Sequence, residues 1–390
     1  MKSTQNLHSD IRYIGTFDSD IDLFESQYKV PQGVSYNSYL ILDEKITIMD
    51  TVDARRRDEW WQLLLEALDG RQPSYLVVHH VEPDHSGAIQ DVMKQWPDCK
   101  IVASQSAIKL IGQFYGGNPE WLSRSVAVKD GQVVELGKHS LQFVSAAMIH
   151  WPEVMVSYDA ASRTLFSADA FGKFGPADDD NNWADEARRY YINICGKYGK
   201  QVQTLLRRAG NLDIETICPL HGPVLHAPLT QYLSLYDTWS NYRPEVAGTL
   251  VAVASIHGGT RAVGEYIAEH IQSESSRPAT VIDLSRTDMS VAVAEAFRHD
   301  SIVLCAASYD ADVFPPMREF IEHIRMKGFC NRRVGLVENG SWAPSAGRVM
   351  RSLLADAPGV EILEPMVTIR SRMNDGDLPA ISALIAALSE

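Results

Sequence analysis

The chain has 390 residues, of which 45% are apolar and 22% are charged, a balance typical of globular proteins. Its formal net charge of −14 disfavours binding to nucleic acid or to anionic lipid, and no stretch reaches the ~20 apolar residues that a membrane span needs. The start, MKSTQNLHSDIRYIG, lacks the basic and then apolar order of a secretory signal. Five scattered cysteines without a C-x-x-C pair predict reduced thiols in a cytoplasm, and exclude an iron–sulfur or rubredoxin-type module on this chain.

At the usual ~150 residues per domain the length favours two domains, and the first alternates short strands with helices. Residues 39–51 form two apolar runs around a polar turn, which predicts a hairpin. Trp60, Leu64 and Leu68 recur at helical spacing, and Gly70 follows as a helix-ending residue. Patterning further predicts strands over 75–78 and 101–103, short strands between 125 and 166, and helices over 54–69, 86–96, 105–115 and 183–209.

The polar stretch NYRPE at 241–245 is predicted to be a linker, because the pattern changes after it. Apolar strands and amphipathic helices then alternate with regularity. The strands are predicted at 250–254, 280–284, 302–305, 334–337 and 361–363. Repeated β–α units of this kind imply a doubly wound parallel sheet, so we place one domain at 1–245 and a second at 246–390.

Four residues of metal-binding types lie in the loop HHVEPDHSG, which follows the strand at 75–78. They are His80, Glu82, Asp84 and His85. Alternate residues of an extended segment project to the same side, and Pro83 breaks the strand so that the last two donors turn back toward the first two. Four nitrogen and oxygen donors on an anchored loop suit a metal centre; the alternative is a polar loop that only forms hydrogen bonds. His79 alternates away from the donors and is predicted to be structural.

Three later residues extend this set. His150 in MIHWPE, Asp169 in LFSADAFG and His221 in CPLHGP each follow an apolar, strand-like run and open into a turn with proline or glycine. Any one of them alone would be interpreted as structural. Together with the loop they make four histidines and three carboxylates, too many for one tetrahedral zinc. The set suits two metals bridged by a carboxylate, with Asp169 as the natural bridge.

The second domain begins with a sequence suited to an anion. The strand at 250–254 runs directly into SIHGGT (255–260) and then into a helix. A serine and a threonine supply hydroxyls, two glycines let backbone N–H groups fold around a phosphate, and the helix N-terminus adds its dipole. The loop matches neither G-x-G-x-x-G nor the Walker sequence, which disfavours a dinucleotide or a triphosphate.

Two more loops follow the carboxyl ends of later strands, where such sheets bind ligands. They are AASYD (306–310) and ENGSWAP (338–344), in which Tyr309 and Trp342 offer flat surfaces for a flavin ring; otherwise these aromatics only cover the edges of the core. The three loops together resemble flavodoxin, whose ligand is FMN, although His257 and the AAS start of the second loop depart from its usual sequence. The residues that this resemblance implies at FMN are Ser255, Ile256, His257, Gly258, Gly259, Thr260, Ala307, Ser308, Tyr309, Asp310, Asn339, Gly340, Ser341 and Trp342.

The first domain resembles the metallo-β-lactamase-like fold in its donor loop followed by His, Asp and His. Hydrolases of that fold carry H-x-H-x-D-H, whereas Glu82 makes this loop H-x-E-x-D-H. That change is characteristic of the flavodiiron proteins, or A-type flavoproteins, whose domain order matches essentially the whole chain. The resemblance implies an α/β architecture with an N-terminal metallo-β-lactamase-like αββα sandwich and a C-terminal flavodoxin-like doubly wound parallel sheet. Three carboxylate ligands on two divalent ions suit iron better than they suit the zinc ions of a hydrolase.

The same resemblance implies a cytoplasmic oxidoreductase that reduces dioxygen to water, nitric oxide to nitrous oxide, or both, with FMN relaying electrons to a diiron centre. It assigns His80, Glu82 and His150 to one iron, Asp84, His85 and His221 to the other, and Asp169 to both. It also implies an external donor, either a rubredoxin or a flavin reductase, and a head-to-tail homodimer or dimer of dimers. Phe174 stands where many relatives carry a histidine, a difference expected to retune substrate choice.

Two other functions compete with this interpretation. The first is a zinc-dependent hydrolase of the metallo-β-lactamase fold, such as a lactonase or thioesterase, with an appended flavodoxin-like domain; Glu82 argues against it. The second is a flavin-binding electron carrier or sensor whose histidine cluster has lost its role. The presence of all seven donor residues argues against that loss.

Overall fold

A computed structural model of the chain describes residues 5–117, 119–179, 181–275 and 277–389. Contacts divide the chain into two compact units, Met1–Asp237 and Thr238–Glu390. The division lies shortly before the polar stretch at 241–245. Within the described ranges, no helix combines the length and the apolar character that crossing a membrane requires.

The first unit contains many short strands and several helices. Its strands are β1 (Gln5–Asn6), β2 (Ile11–Tyr13), β3 (Thr16–Asp18), β4 (Leu23–Phe24), β5 (Tyr28–Lys29), β6 (Val34–Tyr36), β7 (Tyr39–Ile41), β8 (Thr47–Met49), β9 (Tyr75–Val78), β10 (Lys100–Ser104), β11 (Val126–Val128), β12 (Val133–Glu135), β13 (Ser140–Ser145), β14 (Met155–Asp159), β15 (Thr164–Phe166), β16 (Thr216–Cys218) and β17 (Leu225–His226). Its helices are α1 (Arg57–Leu68), α2 (Pro83–Ser86), α3 (Ile89–Gln95), α4 (Gln105–Phe114), α5 (Trp183–Ile194), α6 (Gly199–Ala209) and α7 (Thr230–Ser240), of which α7 crosses into the second unit.

Two sheets form the core of this unit. One runs in the order β1-β2-β7-β8-β9-β10-β11 and the other in the order β12-β13-β14-β15-β16-β17. Buried side chains of both sheets share one apolar cluster, in which the rings of Tyr39 and Phe166 meet at 5.6 Å between centroids. The removal of this apolar surface from water stabilises the pairing of the sheets, and the predicted hairpin at 39–51 contributes β7 and β8.

The second sheet gathers several loop ends at one edge. Strands β15 and β16 are parallel, with Phe166 opposite Cys218, whereas β14 is antiparallel to β15. The ends of β15 and β16 and the start of β14 therefore lie at the same edge. The first sheet joins them there, because Met155 N donates a hydrogen bond of 3.1 Å to the carbonyl oxygen of His79, just after β9.

Two predicted helices of the first unit differ from the structure. The helix predicted over 86–96 is wrong at its start, because Pro83 occupies the first position of a separate turn, α2, and α3 begins only at Ile89. The helix predicted over 183–209 is two helices, α5 and α6, with a 3-10 turn at Gly196–Tyr198 between them. Glycine has a low helix propensity, which explains the interruption.

The second unit has a parallel sheet with helices on its faces. Its strands are β18 (Val246–Ala254), β19 (Ala279–Asp283), β20 (His299–Tyr309), β21 (Asp312–Val313), β22 (Arg333–Asn339), β23 (Glu361–Ile362) and β24 (Val367–Ile369). Its helices are α8 (Gly259–Ser275), α9 (Met289–Arg298), α10 (Pro315–Met326), α11 (Ala346–Leu354) and α12 (Leu378–Ser389). The main sheet runs in the order β19-β18-β20-β22-β23, with each of these neighbours parallel, and the predicted doubly wound sheet is confirmed.

The fifth strand of this sheet is split into two pieces. Both β23 and β24 pair with β22, and Glu364 and Pro365 lie between them. The strand predicted at 361–363 covers only the first piece. Proline has no N–H for the ladder and interrupts the pairing, so the carboxyl end of the fifth strand lies at Ile369, and a turn at 370–372 follows it.

Candidate functional site

The seven donor residues come from four separate places in the first unit. The loop after β9 and the short helix α2 carry His80, Glu82, Asp84 and His85, and the remaining three are His150 before β14, Asp169 after β15 and His221 after β16. The edge where these strands begin and end therefore brings all seven together. None of these side chains is more than slightly exposed, and His80, His85 and His221 are fully buried.

The donor atoms form two groups, each of which has the size of a metal site. We define the first cluster as His80, Glu82, His150 and Asp169, and the second cluster as Asp84, His85 and His221. Within each cluster the donor atoms lie within 4.8 Å of one another. Nitrogen and carboxylate oxygen donors at this spacing suit a first-row transition metal.

Asp169 lies between the two clusters. Its Oδ2 is 3.3 Å from His80 Nε2 and 3.2 Å from His150 Nε2 in the first cluster. Its Oδ1 is 3.2 Å from His85 Nε2 and 3.8 Å from His221 Nε2 in the second. One carboxylate thus presents a different oxygen to each cluster, which is the arrangement of a bridging ligand between two metals.

Buried acceptors orient two of the histidine rings. His80 Nδ1 is 2.8 Å from Glu153 Oε1, and His221 Nδ1 donates a hydrogen bond of 2.7 Å to the carbonyl oxygen of Ser35. A proton on each Nδ1 leaves the lone pair of Nε2 directed into the clusters, as metal coordination requires. Sequence reasoning missed Glu153 and Ser35. The only local signal for Glu153 is its position three residues after His150.

The pKa values follow from the number of carboxylates in the clusters. Burial alone would lower the pKa of His150, but its hydrogen bonds with Asp169 and Glu82 outweigh burial and raise that pKa to about 9. Burial would raise the pKa of Glu82, but hydrogen bonds from His150 and His80 lower it to about 2. The site thus holds ionised carboxylates whose charge requires cations, either protons on the histidines or metal ions.

Several donor atoms of the clusters are buried without a hydrogen-bond partner. Among the described residues, both carboxylate oxygens of Asp84 and the Oδ1 of Asp169 are buried without a hydrogen-bond donor. His85 Nε2 and His221 Nε2 lie 3.0 Å apart, so both rings direct this nitrogen to the same point. A cation among these atoms would satisfy all of them, so the residues fit two metal ions.

The structural prediction for His79 is confirmed. Its Nδ1 is 2.6 Å from Asp50 Oδ2 and its Nε2 is 2.8 Å from Ser157 Oγ, so both ring nitrogens are occupied outside the clusters. Asp50 Oδ1 also accepts a hydrogen bond of 2.7 Å from the backbone N–H of His79. This network fixes the strand end from which the donor loop departs.

Aromatic side chains surround the second cluster. The ring of Phe24 meets that of His221 edge-on at 5.4 Å, and Tyr190 lies 5.5 Å from the same imidazole. Phe174 is buried behind them, 5.3 Å from Phe24 and 5.2 Å from Tyr190, with the guanidinium of Arg189 over its face at 5.0 Å. Phe174 therefore acts on the site only through neighbouring rings and supplies none of the donors.

The second unit carries a separate cavity of about 680 Å³, a size typical of small-molecule cofactor sites. All three loops that the sequence singles out line it, and Gly258 alone among their fourteen named residues is not at its wall. Tyr309 is 46% exposed and Trp342 is 88% exposed at this site. Trp342 therefore covers no core edge, whereas the ring of Tyr309 also contacts that of Phe314 at 5.8 Å between centroids.

The first of these loops has the geometry of an anion cradle. Gly258 adopts a φ of +85°, which a side chain would strain, and its N–H donates a hydrogen bond of 3.1 Å to Ser255 Oγ. Helix α8 begins at Gly259, so its unpaired N–H groups lie at the cavity. Sequence reasoning missed the further lining residues Ala311, Ser345, Ser371 and Arg372.

The fold and the site define a class of protein: a metallo-β-lactamase-like domain with two clusters of metal-binding residue types, followed by a flavodoxin-like domain with a cavity at the carboxyl ends of its strands. The family model described as ODP family beta lactamase matches residues 34–222. The anaerobic nitric oxide reductase flavorubredoxin of Vibrio vulnificus is 29% identical over 367 residues, covering 91% of this chain and 73% of that protein. The protein of the same name from Escherichia coli K12 is 29% identical over 361 residues, covering 90% and 74%.

Solved structures agree over nearly the whole chain. A flavoprotein from Thermotoga maritima has a TM-score of 0.88 and 25% identity, covering 99% of this chain and 97% of that one. The rubredoxin oxygen:oxidoreductase from Desulfovibrio gigas has a TM-score of 0.92 and 21% identity, covering 99% and 98%. These findings support the flavodiiron protein that the donor loop and the domain order predict, and the zinc hydrolase alternative is not favoured.

Proposed function

We propose that this protein is an oxidoreductase that reduces dioxygen to water, nitric oxide to nitrous oxide, or both, at a diiron centre in its first unit. The observation that carries the proposal is Asp169, which presents one carboxylate oxygen to each of two buried donor clusters. The names of the relatives support it, since two are nitric oxide reductases and one is an oxygen oxidoreductase. Electrons reach the site from an external donor through FMN in the second unit.

The proposed ligand assignment follows the two clusters. His80, Glu82 and His150 would bind one iron, Asp84, His85 and His221 the other, and Asp169 both. Three carboxylates add negative charge and hard oxygen donors, which suit iron cycling between ferrous and ferric states. When bound, the pair of ferrous ions would supply electrons and open coordination positions for a diatomic gas.

The protein's own residues prepare that site. Glu153 and the carbonyl oxygen of Ser35 hold the protons on Nδ1 of His80 and His221, so that each Nε2 faces its cluster. Phe24 excludes water from one side of His221. Burial raises the pKa of Tyr190 well above its ordinary value, so this tyrosine, whose ring lies beside the imidazole of His221, stays protonated at physiological pH.

We propose domain limits of 1–245 and 246–390. FMN is proposed to bind in the cavity of the second unit. The phosphate would lie in the loop Ser255–Thr260, and the ring would stack near Tyr309 or Trp342. Glycines at 258 and 259, a helix N-terminus and a cavity of about 680 Å³ support this placement. When bound, the flavin would accept electrons from the donor and pass them singly to the irons.

The donor is proposed to be a rubredoxin or a flavin reductase, because five free, scattered cysteines offer no rubredoxin site on the chain itself. The same reduced thiols support a cytoplasmic location. We propose a head-to-tail homodimer, or a dimer of such dimers, in which the flavin of one subunit serves the irons of the other. The exposed Trp342 at the cofactor cavity supports such a contact.

Subunit mixing tests the dimer. His80→Ala should remove the metal site, and Gly259→Ala should impair the flavin site because its Cβ would meet the carbonyl oxygen of Ser371 at 2.5 Å. Head-to-tail transfer predicts that mixed dimers of these two inactive variants regain activity. Transfer within one subunit predicts that every mixture stays inactive.

The reaction itself is tested by anaerobic stopped-flow of the fully reduced protein with each gas in turn, after metal analysis. His80→Ala and Asp169→Ala should abolish oxidation of the irons by gas while leaving the flavin spectrum unchanged. His226→Ala, which removes an exposed histidine on an edge strand, is the matched control and should behave as the parent protein. Two zinc ions and no iron, or unchanged turnover in both variants, would refute the proposal.

A further inference from the structure

The turn Arg370–Arg372, which follows β24, contributes to the cofactor cavity in a way that sequence reasoning did not anticipate. It lies at the carboxyl end of the fifth strand. Because that strand is split, the sequence pattern places its end at 363 and does not predict a loop at 370–372. Arg372 lines the cavity, whereas Arg370, two residues earlier, does not. The neighbours of Arg372 indicate its role there, an inference that rests on the proposed binding of FMN.

Hydrogen bonds hold the turn against the cavity. Asn339 Nδ2 donates to the carbonyl oxygen of Ser371 at 3.1 Å, and Asn339 Oδ1 accepts from the backbone N–H of Ser371 at 3.0 Å. Ser371 Oγ donates to Ser341 Oγ at 2.8 Å. Ser371 itself has a φ of +69°, an unfavourable conformation for a residue with a side chain, so these contacts fix a turn that would not form by itself.

The turn also lies directly against the anion cradle. A Cβ on Gly259 would meet the carbonyl oxygen of Ser371 at 2.5 Å, so the two backbones touch. Gly259 is the first residue of α8, and α12, which follows the turn, packs against α8. Arg372 is therefore placed near the N-terminal end of α8 and the loop Ser255–Thr260.

The charge of Arg372 has no protein partner there. Among the described residues no carboxylate pairs with its guanidinium, and the side chain is exposed in the cavity. Several other arginines of this unit are paired, such as Arg261 with Glu265 and Arg318 with Asp312. The N-terminal end of a helix is positive and repels a cation, so an unpaired guanidinium beside it indicates that an anion belongs between them.

We propose that Arg372 pairs with the phosphate monoester of the flavin and makes the site select FMN over unphosphorylated riboflavin. The loop Ser255–Thr260 supplies neutral N–H and hydroxyl donors, and Arg372 supplies the positive charge that a phosphate of nearly two negative charges requires. Arg372 is a binding and specificity residue; it takes no part in electron transfer.

The test compares the affinities of FMN and riboflavin for the full chain after removal of its flavin, measured by quenching of flavin fluorescence. Arg372→Ala should weaken FMN binding about tenfold, equal to about 1.4 kcal/mol, and leave riboflavin binding unchanged. Arg372→Lys should retain most of the FMN affinity. Arg370→Ala is the matched control, an arginine of the same turn outside the cavity, and should change neither affinity.

The salt dependence gives a second readout. FMN affinity of the parent protein should fall with added salt more steeply than that of Arg372→Ala, since one ion pair has been removed. Equal losses of FMN and riboflavin affinity in Arg372→Ala would place Arg372 at the ring and overturn the inference, as would no loss at all. In both cases the parent protein still binds FMN and the proposed function stands; a parent protein that binds neither flavin overturns both.

Discussion

Glu153 provides the sharpest test of how the protein holds its metals. Its carboxylate is fully buried, and Oε1 lies 2.8 Å from His80 Nδ1 and accepts a hydrogen bond of 3.1 Å from the backbone N–H of Val81. Glu153→Gln keeps the shape and one oxygen acceptor but removes the charge. Glu153→Ala removes the acceptor as well. The two variants therefore separate the electrostatic contribution from the geometric one.

The expected magnitudes follow from these two contacts. Loss of a partner that orients a ligating histidine costs about 10- to 100-fold in metal affinity, so Glu153→Gln should lie near the lower value and Glu153→Ala near the upper. Glu153→Ala also leaves the Nδ1–H of His80 and the N–H of Val81 buried without acceptors. Each of these two unpaired N–H groups should lower the free energy of unfolding by about 1–3 kcal/mol. Glu153→Gln should change the free energy of unfolding little.

The assay is ferrous iron binding in competition with a chelator, together with urea unfolding of the metal-free protein. Glu135→Gln, an exposed glutamate on β12, is the matched control and should change neither quantity. Full iron affinity in Glu153→Ala would show that His80 does not depend on this carboxylate. The same affinity in both Glu153 variants would refute the separate contribution of charge.

Three other predictions concern different parts of the chain. Folding raises the pKa of His150 from 6.5 to about 9, so the protonated imidazole stabilises the folded state. This stabilisation is complete below pH 6.5 and is lost as the pH rises through 9. The melting temperature of the metal-free protein should therefore fall across that window. Iron-loaded protein should lack this slope, because metal replaces the proton; equal slopes in calorimetry would contradict the metal assignment. Trp342→Ala should leave the free energy of unfolding within about 0.5 kcal/mol, since the side chain is 88% exposed, but weaken FMN binding about two- to tenfold in fluorescence titration; unchanged FMN affinity would exclude ring stacking on this residue. Phe24→Ala should lower the free energy of unfolding by about 3–5 kcal/mol, because it leaves a cavity beside His221, and a cost below 1 kcal/mol in urea unfolding would contradict the packing described.

The sequence by itself determined the donor residues and the sheet type, because both depend on short-range features. The loop HHVEPDHSG carries four donors within a few residues, and the β–α alternation after residue 246 is a local pattern of apolar residues. The same local reasoning separated His79 from His80 by their alternation. Such features can be recognised without knowledge of distant contacts: the structure brings the seven residues together and confirms the parallel sheet.

Only the tertiary structure decided which groups surround those donors. His80 meets Glu153 across 73 residues of chain, and His221 meets the carbonyl oxygen of Ser35 across 186. No local pattern encodes such pairs, because they arise when separate strands end at one sheet edge. The position of Arg372 at the cavity could not be predicted for a related reason. The fifth strand resumes after Pro365, and only its pairing with β22 shows where that strand ends.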